Sequence, residues 1–390
     1  MKVLVIGDSV GALTAIRELG QSGWQVGLGS EQRHDLAAFS RHVSRWHCVP
    51  RPGTDIQSFL RAVNAAIREC QYEVLLGTGD AEVLALSRFR EQLTAQVPYS
   101  AHENVERSFD KFALHSLACK IGIGSPQTAL ATEPALAQFQ YPLVVKARLH
   151  WSPDADRQRV KEAIAQNRDE ALAAMQRIRA AGAEPILQQF VAGMPLHFVA
   201  LCDRQSNIVQ RTNHLTTVLG ASASGQSARA EIVPVDPQLA RQVAALLAEV
   251  NWFGLADLQF WVRGDGDPLL TDFNGRIYGG LALPHAAGYR MIADWASLAT
   301  ERPLPVRGEQ RTRCRYQSLE GDLRRSFRLN TGQAVQETAR TMAHSFQACH
   351  PVWNCRDPMP ACAYLGKLGR RMLTKLKKWL LSCAGSRGTD

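Results

Sequence analysis

The chain has 390 residues, 45% of them hydrophobic and 21% charged, which is the composition of an ordinary globular protein with two or three domains. The formal net charge is +9, but residues 358–389 hold seven Lys and Arg and no Asp or Glu, so the rest of the chain is near neutral and a nucleic-acid-binding body is not expected. No apolar run approaches the roughly 20 residues of a membrane span, and the nine cysteines form no CxxC pair, so we expect a cytoplasmic protein.

Residues 1–100 alternate short apolar segments with amphipathic ones. The stretches "KVLVIG", "WQVGLGS" and "YEVLLGTG" have the composition of buried strands, and helical patterns at 10–22 and 55–70 lie between them. Alternation of this kind is typical of a parallel, doubly wound sheet. We therefore predict that residues 1–100 form a Rossmann-like α/β domain.

A glycine turn follows the first predicted strand of this domain. Gly7 and Gly11 have the spacing GxxxG rather than the GxGxxG of a dinucleotide fingerprint, although Glu31 stands about where a ribose-binding acid would. A nicotinamide-dependent oxidoreductase is therefore one alternative. The other interpretation is that the glycines only permit a tight turn from strand to helix.

From residue 101 the pattern becomes that of an α+β domain, with single helices between strands that pair antiparallel. A helix is predicted over 102–120, and the segments "GLADLQFWV" and "PLLTDFNG" predict a hairpin around the turn "RGDGDP". Residues 302–312, rich in Pro, Arg and Gly, predict the end of this domain, which we place at 101–305.

Residues 306–390 are predicted to be a C-terminal extension. It ends in a basic amphipathic helix over 363–383, whose apolar residues Leu365, Leu368, Met372, Leu376 and Trp379 recur at helical spacing. Three roles remain open for this helix: docking on the body, peripheral contact with anionic lipid at the inner face of the membrane, or contact with an acidic protein.

Three polar residues alternate at the end of the predicted hairpin. Asp272, Asn274 and Arg276 lie two apart and would share one face of a strand, and Gln259 lies on the partner strand. Gln259, Asp272 and Asn274 offer only oxygen ligands, the set that Mg²⁺ prefers. Arg276 could bind a phosphoryl group or a carboxylate through two parallel hydrogen bonds. The face therefore predicts a Mg²⁺ site that bridges a triphosphate.

Two further segments place polar groups where apolar residues are expected. Lys146 ends "PLVVK", which otherwise predicts a buried strand, and a buried lysine is costly unless it meets an anion. Gln188 and Gln189 interrupt the apolar segment "ILQQFV" in the same way. Lys111, in a helical stretch, indicates little by itself.

In the order and spacing of these residues the sequence resembles the ATP-grasp superfamily, which includes carbamoyl-phosphate synthase, biotin carboxylase and D-alanine ligase. The resemblance covers roughly residues 1–300. It implies a pre-ATP-grasp domain, then an ATP-grasp domain with a lid subdomain at about 112–185. It also implies an ATP-dependent carboxylate–amine ligase that uses Mg²⁺ or Mn²⁺ and activates a carboxylate as an acyl phosphate.

The resemblance also implies a role for each candidate residue. Lys111, in "FDKFALHSLACKIGIGSPQT", and Lys146, in "YPLVVKAR", would contact the phosphates. Gln188, Gln189 and the backbone of Val191 would surround the adenine. The metal ligands would be Gln259, Asp272 and Asn274, and the catalytic arginine would be Arg276.

Two departures leave a catalytically inactive ATP-binding protein as a second alternative. The segment after the second lysine, "LHWSPDADRQRVKE", has no glycine where the superfamily has a glycine-rich loop. The acids common at the hinge are also absent, and Gln189 stands in place of one.

Overall fold

The structure is a computed structural model that describes residues 1–53, 55–149, 151, 161–220, 226–264 and 266–368. The N-terminal part is a four-stranded parallel sheet in the order β3-β2-β1-β4, with helices between the strands. Its elements are β1 (Lys2–Ile6), α1 (Val10–Gln21), β2 (Gln25–Ser30), β3 (Val43–Cys48), α2 (Ile56–Cys70), β4 (Val74–Gly77) and α3 (Asp80–Arg88).

The sheet's central strand is continuously apolar because helices cover it. Val3, Leu4 and Val5 of β1 are fully buried, as expected for a parallel strand whose two faces are both covered. Ser9 caps the N-terminus of α1, and its hydroxyl accepts a hydrogen bond from the Ala12 amide (3.3 Å). This sheet confirms the α/β part of the predicted fold class.

The predicted helix over 102–120 is wrong in one respect, because it is two helices. They are α4 (His102–Phe109) and α5 (Lys111–Ile121). Asp110 between them has an extended backbone, and its carboxylate accepts hydrogen bonds from the amides of Phe112 (2.9 Å) and Ala113 (3.0 Å). The aspartate therefore ends one helix and caps the next.

A small antiparallel sheet follows, in the order β5-β8-β6-β7, and lies within the predicted lid region and just beyond it. Its elements are β5 (Thr128–Leu130), α6 (Glu133–Leu136), β6 (Leu143–Ala147), β7 (Ala163–Ala165), α7 (Arg168–Ala180) and β8 (Pro185–Gln189). Helix α7 packs its apolar side on this sheet and encloses a separate small core that includes Val145, Met175 and Leu187. We refer to this unit as the lid sheet.

The described residues that follow the lid sheet include a seven-stranded sheet in the order β13-β12-β9-β10-β11-β14-β15. Its elements are β9 (Met194–Cys202), β10 (Ile208–Leu219), β11 (Ser227–Val233), α8 (Pro237–Glu249), β12 (Gly254–Val262), β13 (Pro268–Asn274), α9 (Ala282–Ala286), α10 (Met291–Ala299), β14 (Arg315–Gln317), α11 (Leu319–Ser326), α12 (Thr331–Ser345) and β15 (Ala348–Cys349). Strands β14 and β15 lie beyond the predicted boundary at 305, yet they extend this sheet.

The C-terminal helix predicted over 363–383 lies almost entirely outside the described residues, which are helical from 359 to 368 at this end. In the described part of the chain, no helix is both long and apolar enough to cross a membrane.

Candidate active site

A cavity of about 1410 Å³ lies between the lid sheet and the seven-stranded sheet, and it continues to the start of α1 and to residues 351–353. Most ligand pockets hold roughly 300–1000 Å³, so this one has room for more than one ligand. All but one of the predicted site residues line it, namely Lys146, Gln188, Gln189, Val191, Gln259, Asp272, Asn274 and Arg276. The exception is Lys111.

The hairpin of β12 and β13 brings the three predicted metal ligands together. Gln259 is paired directly with Asp272 in the antiparallel ladder, and Asp257 is paired with Asn274. Because alternate residues of a strand share a face, all four side chains point into the cavity. Their oxygens are hard ligands, and the donor set fits Mg²⁺.

A β-bulge interrupts this hairpin at the site. The pairing shifts between Gln259 and Phe260, so Thr271 has no directly opposed partner. The Lys146 ammonium donates a hydrogen bond of 2.9 Å to the Thr271 carbonyl oxygen. Burial, opposed by Asp272 and reinforced by nearby Lys111, lowers the pKa of Lys146 to about 8. A buried cation held by one carbonyl is suited to meet an anion in the cavity.

Lys111 lies next to the hairpin of β12 and β13 and is buried, 4% exposed. Its ammonium is 3.5 Å from a carboxylate oxygen of Asp272. The break at Asp110 creates this arrangement, because it makes Lys111 the first residue of α5. Asp272 thus has a lysine behind it as well as the cavity in front.

Arg276 links the hairpin to the N-terminal domain. Its guanidinium forms an ion pair with Asp80, the first residue of α3, and donates to the side-chain oxygen of Asn274 (3.2 Å). Burial alone would lower the pKa of Arg276, but Asp80, together with Asp272 and Asp257, outweighs burial and the pKa is raised. The cation is therefore permanent and is held beside the predicted metal ligands.

The predicted hinge glutamines are both occupied by the protein itself. The Gln188 amide donates to the hydroxyl of Thr128 (3.0 Å), and the Gln189 amide donates to the carbonyl oxygens of Gln140 (3.1 Å) and Pro142 (3.3 Å). Val191, also at the cavity, is 5% exposed. This segment joins the lid sheet to β9, and its residues 188–193 line the cavity.

Four residues that were not predicted from the sequence, namely Asp257, His197, His214 and Tyr278, also line the cavity. Asp257 accepts a hydrogen bond from His197 Nδ1 (2.9 Å), and the His197 ring stacks on His214 with centroids 4.6 Å apart. Tyr278 stacks against both histidines. Burial, reinforced by His197, holds the pKa of His214 well below its usual value, so its ring is neutral. Asp257 could have been predicted from the sequence, because it lies two residues before Gln259 and so shares its face of the strand. His197, His214 and Tyr278 could not, because they are distant in sequence from the hairpin residues that they accompany.

The glycine turn has a packing role. A Cβ on Gly7, whose φ is +127°, would lie 2.1 Å from the Thr78 hydroxyl. One on Gly11 would lie 2.8 Å from Tyr278 Cα and 2.9 Å from the Ile277 carbonyl oxygen. Gly7 thus allows close approach of Thr78, and Gly11 allows close approach of Ile277 and Tyr278. This packing role agrees with the interpretation in which the glycines serve the local backbone and not a nucleotide.

The sequence matches no protein-family model and no curated protein. Solved structures do match. The biotin carboxylase domain of Hydrogenobacter thermophilus 2-oxoglutarate carboxylase, solved with MgADP, ADP and bicarbonate, is similar over 80% of this chain and 73% of that one, with TM-score 0.63 and 14% identity.

Two further structures share the fold. The L-amino acid ligase from Bacillus licheniformis covers 76% of this chain and 74% of its own, with TM-score 0.58 and 16% identity. N5-carboxyaminoimidazole synthetase from Staphylococcus aureus covers 78% of each chain, with TM-score 0.59 and 10% identity. These likenesses confirm the predicted resemblance and fold class. The chain therefore has an ATP-grasp fold, with a parallel domain before it.

Proposed function

We propose that the protein is an ATP-dependent ligase that joins a carboxylic acid to an amine. The observation that carries the proposal is the convergence of Lys146, Asp272, Asn274 and Arg276 on one cavity beneath the lid sheet. Two cations and two oxygen ligands around one cavity are what a triphosphate with a divalent metal requires. The ATP-grasp fold places this cavity between two sheets, where water can be excluded.

Gln259, Asp272 and Asn274 would hold Mg²⁺, or Mn²⁺ in its place. When bound, the metal neutralises phosphate charge that would otherwise repel an incoming carboxylate. Only Asp272 carries a formal charge among the three, and Lys111 lies 3.5 Å behind it.

The proposed reaction has two steps. A carboxylate oxygen of the acid attacks the γ-phosphorus of ATP, the bond to the β-phosphate oxygen breaks, and ADP leaves. The amine nitrogen then attacks the acyl carbon, inorganic phosphate leaves, and the amine loses a proton. Lys146 would neutralise the phosphates, and Arg276 would orient the carboxylate and stabilise charge on the phosphoryl group during transfer.

The structural neighbours support this class of reaction. They are a biotin carboxylase domain solved with MgADP and bicarbonate, an amino acid ligase and a synthetase. What they have in common with this chain is the fold, at 10–16% identity. The shared fold therefore does not identify the acid and the amine, and the residues that line the cavity must select them.

The proposal is tested by incubating the full chain with MgATP, a panel of carboxylic acids and hydroxylamine, which traps acyl phosphates as hydroxamates. We expect ADP and hydroxamate in equal amounts with the correct acid. A protein that binds MgATP but forms neither product with any acid would be the inactive ATP-binding protein of the second alternative. A protein that binds no MgATP would not be a ligase of this kind.

A further inference from the structure

Helix α12 and the residue that follows it present an exposed apolar face. Val335 and Met342 of the helix are 69% and 46% exposed, and Phe346, directly after it, is 89% exposed. Ala339 is exposed as well, and the four positions follow one another at intervals of four, three and four residues, so they form one row along the helix. A single exposed apolar residue is ordinary, but a continuous row marks a site of interaction.

The opposite face of α12 is polar and packs on the protein. The side chain of Arg229, in β11, donates to the Glu337 carboxylate (3.0 Å) and to the Thr341 hydroxyl (3.0 Å). The Gln317 amide, in β14, donates to the Thr341 carbonyl oxygen (3.0 Å). Arg229 also donates to Asp322 of α11 (2.6 Å), whose side chain is fully buried. Directional polar contacts therefore attach α12 to the seven-stranded sheet.

These contacts fix the rotation of α12 about its own axis. A surface helix ordinarily turns its apolar side to the core, and α12 does the reverse. Turning the apolar face inward would separate Glu337 from Arg229, and both of these side chains are largely buried. Loss of a buried ion pair costs more free energy than burial of one valine regains. The fold itself therefore holds the apolar face toward solvent.

The segment that carries this face also carries the whole net charge of the chain. Residues 313–390 hold 14 Lys and Arg and five Asp and Glu, which is a net charge of +9. The formal net charge of the entire chain is also +9, so residues 1–312 are neutral. The apolar face of α12 therefore belongs to the one strongly basic part of the sequence.

The basic groups of this segment reach the surface, whereas its described acidic groups are engaged within the protein. All four described acids form ion pairs with arginines, namely Glu320, Asp322, Glu337 and Asp357. None of these four is classed as exposed, while Arg313, Arg315 and Arg340 are. The surface around α12 is therefore positively charged.

An exposed apolar face in a basic region matches an anionic lipid surface. Apolar side chains enter the boundary between head groups and acyl chains, while cations meet the anionic head groups. Two copies of this segment would bring a charge of +9 against another of +9, so repulsion disfavours contact between copies. The face has one aromatic ring among aliphatic side chains, so it offers nucleic-acid bases little on which to stack.

We propose that the exposed apolar face of α12, together with the basic residues around it, binds the surface of an anionic membrane. Val335, Met342 and Phe346 enter the interfacial layer, and Arg340 and the other exposed arginines of the segment contact the head groups. The interaction is peripheral. It does not depend on the proposed ligase function, because none of the three apolar residues lines the cavity described above.

The test is cosedimentation of the full chain with vesicles of phosphatidylcholine alone and with vesicles of equal parts phosphatidylcholine and phosphatidylserine. We expect binding to the anionic vesicles at low salt, and binding at least about tenfold weaker at high salt or to phosphatidylcholine alone, because head-group attraction is screened or absent. No binding to the anionic vesicles, or equal binding to both kinds, overturns the proposal.

Variants separate the face of α12 from the other basic residues of the segment. Val335→Asp should weaken binding to the anionic vesicles at least about tenfold, because a carboxylate would have to enter the interfacial layer. Val306→Asp makes the same change of charge at a fully exposed valine outside the segment and should bind like the parent. Phe346→Ser removes apolar surface without a change of charge and should also weaken binding. Unchanged affinity in Val335→Asp or in Phe346→Ser contradicts the assignment.

Circular dichroism checks that the variants are folded, and light scattering measures their mass in solution. A parent protein that is dimeric and becomes monomeric in Val335→Asp would show instead that the face joins two copies of the chain, and would overturn the proposal. The vesicle assay contains no nucleotide, carboxylic acid or amine. Its outcome is therefore distinguishable from any failure of the proposed ligase activity.

Discussion

The ammonium of Lys111 lies 3.5 Å from the carboxylate of Asp272, and both residues adjoin the wall on which the triphosphate is proposed to bind. Lys111 is the first residue of a helix capped by Asp110, and Asp272 follows a bulge in the hairpin. Two local irregularities thus bring together a cation and the one charged ligand of the proposed metal site. The contact gives Asp272 a structural role beside its proposed role as a metal ligand.

Replacing Asp272 by Asn should therefore have two effects. Removal of the one charged ligand should lower turnover by about a thousandfold or more, because the metal's contribution to the transition state is lost. Buried Lys111 also loses a carboxylate partner, so the free energy of unfolding should fall by on the order of 2 kcal/mol. Steady-state kinetics and urea denaturation measure the two effects. Asp267→Asn, in the exposed turn of the same hairpin, is the matched control and should show neither.

Lys146→Met should weaken ATP binding both with and without Mg²⁺. Lys146 is buried at the cavity and contacts no carboxylate at hydrogen-bonding distance in the described chain, so its charge is available to phosphates. Asp272→Asn should instead weaken binding chiefly when Mg²⁺ is present. Isothermal titration of ATP into both variants separates the two roles. Equal losses in both variants, or a Mg²⁺-dependent loss in Lys146→Met, would show that Lys146 acts through the metal.

Arg276→Lys should bind MgATP nearly as tightly as the parent and turn over at least about a hundredfold more slowly. Lysine keeps the charge, and thus the ion pair with Asp80, but cannot form two parallel hydrogen bonds to a carboxylate or phosphoryl group. Arg45→Lys, in an exposed ion pair with Glu69, is the control. Normal turnover in Arg276→Lys would remove the arginine from the proposed mechanism.

Much of this site could be predicted from local pattern. Asp272, Asn274 and Arg276 alternate, and Gln259 lies on the neighbouring segment, so the hairpin and its face followed from the period of a strand. Asp257 obeys the same alternation and could have been included. The break at Asp110 was also detectable, because an aspartate before a helical segment is a common cap.

Other contacts depend on the folded chain alone. Asp80 meets Arg276 across 196 positions, and Arg17 meets Asp357 across 340. No periodicity within a segment specifies such pairs, because they form only when separate elements pack together. For the same reason the sequence, from which we placed the end of the domain at 305, did not indicate that β14 pairs with β11.

The stability of the N-terminal domain should fall as pH rises through neutrality. Burial, reinforced by Asp8 and Asp80, raises the pKa of Glu82 to about 7. The folded state holds a proton that the unfolded state has already lost above about pH 4.5, so the stabilisation is present below that value and is lost as pH rises to about 7.

The expected loss is roughly 3 kcal/mol between pH 4.5 and pH 8, at 1.36 kcal/mol per pKa unit. Glu82→Gln should remove this pH dependence. Urea denaturation of the parent and the variant at several pH values measures it, with Glu103→Gln, on the first turn of α4, as the control. A parent protein whose stability rises through this range would contradict the raised pKa.

Oxygen transfer tests the central claim most directly. An acid labelled with ¹⁸O in its carboxylate is incubated with the protein, MgATP and an amine, and the inorganic phosphate is analysed by mass spectrometry. If the carboxylate attacks ATP and is then displaced as an acyl phosphate, one ¹⁸O atom must pass from the acid to phosphate for each amide formed. We predict this stoichiometric transfer, and its absence in Asp272→Asn. Amide formation with unlabelled phosphate would contradict the proposed mechanism.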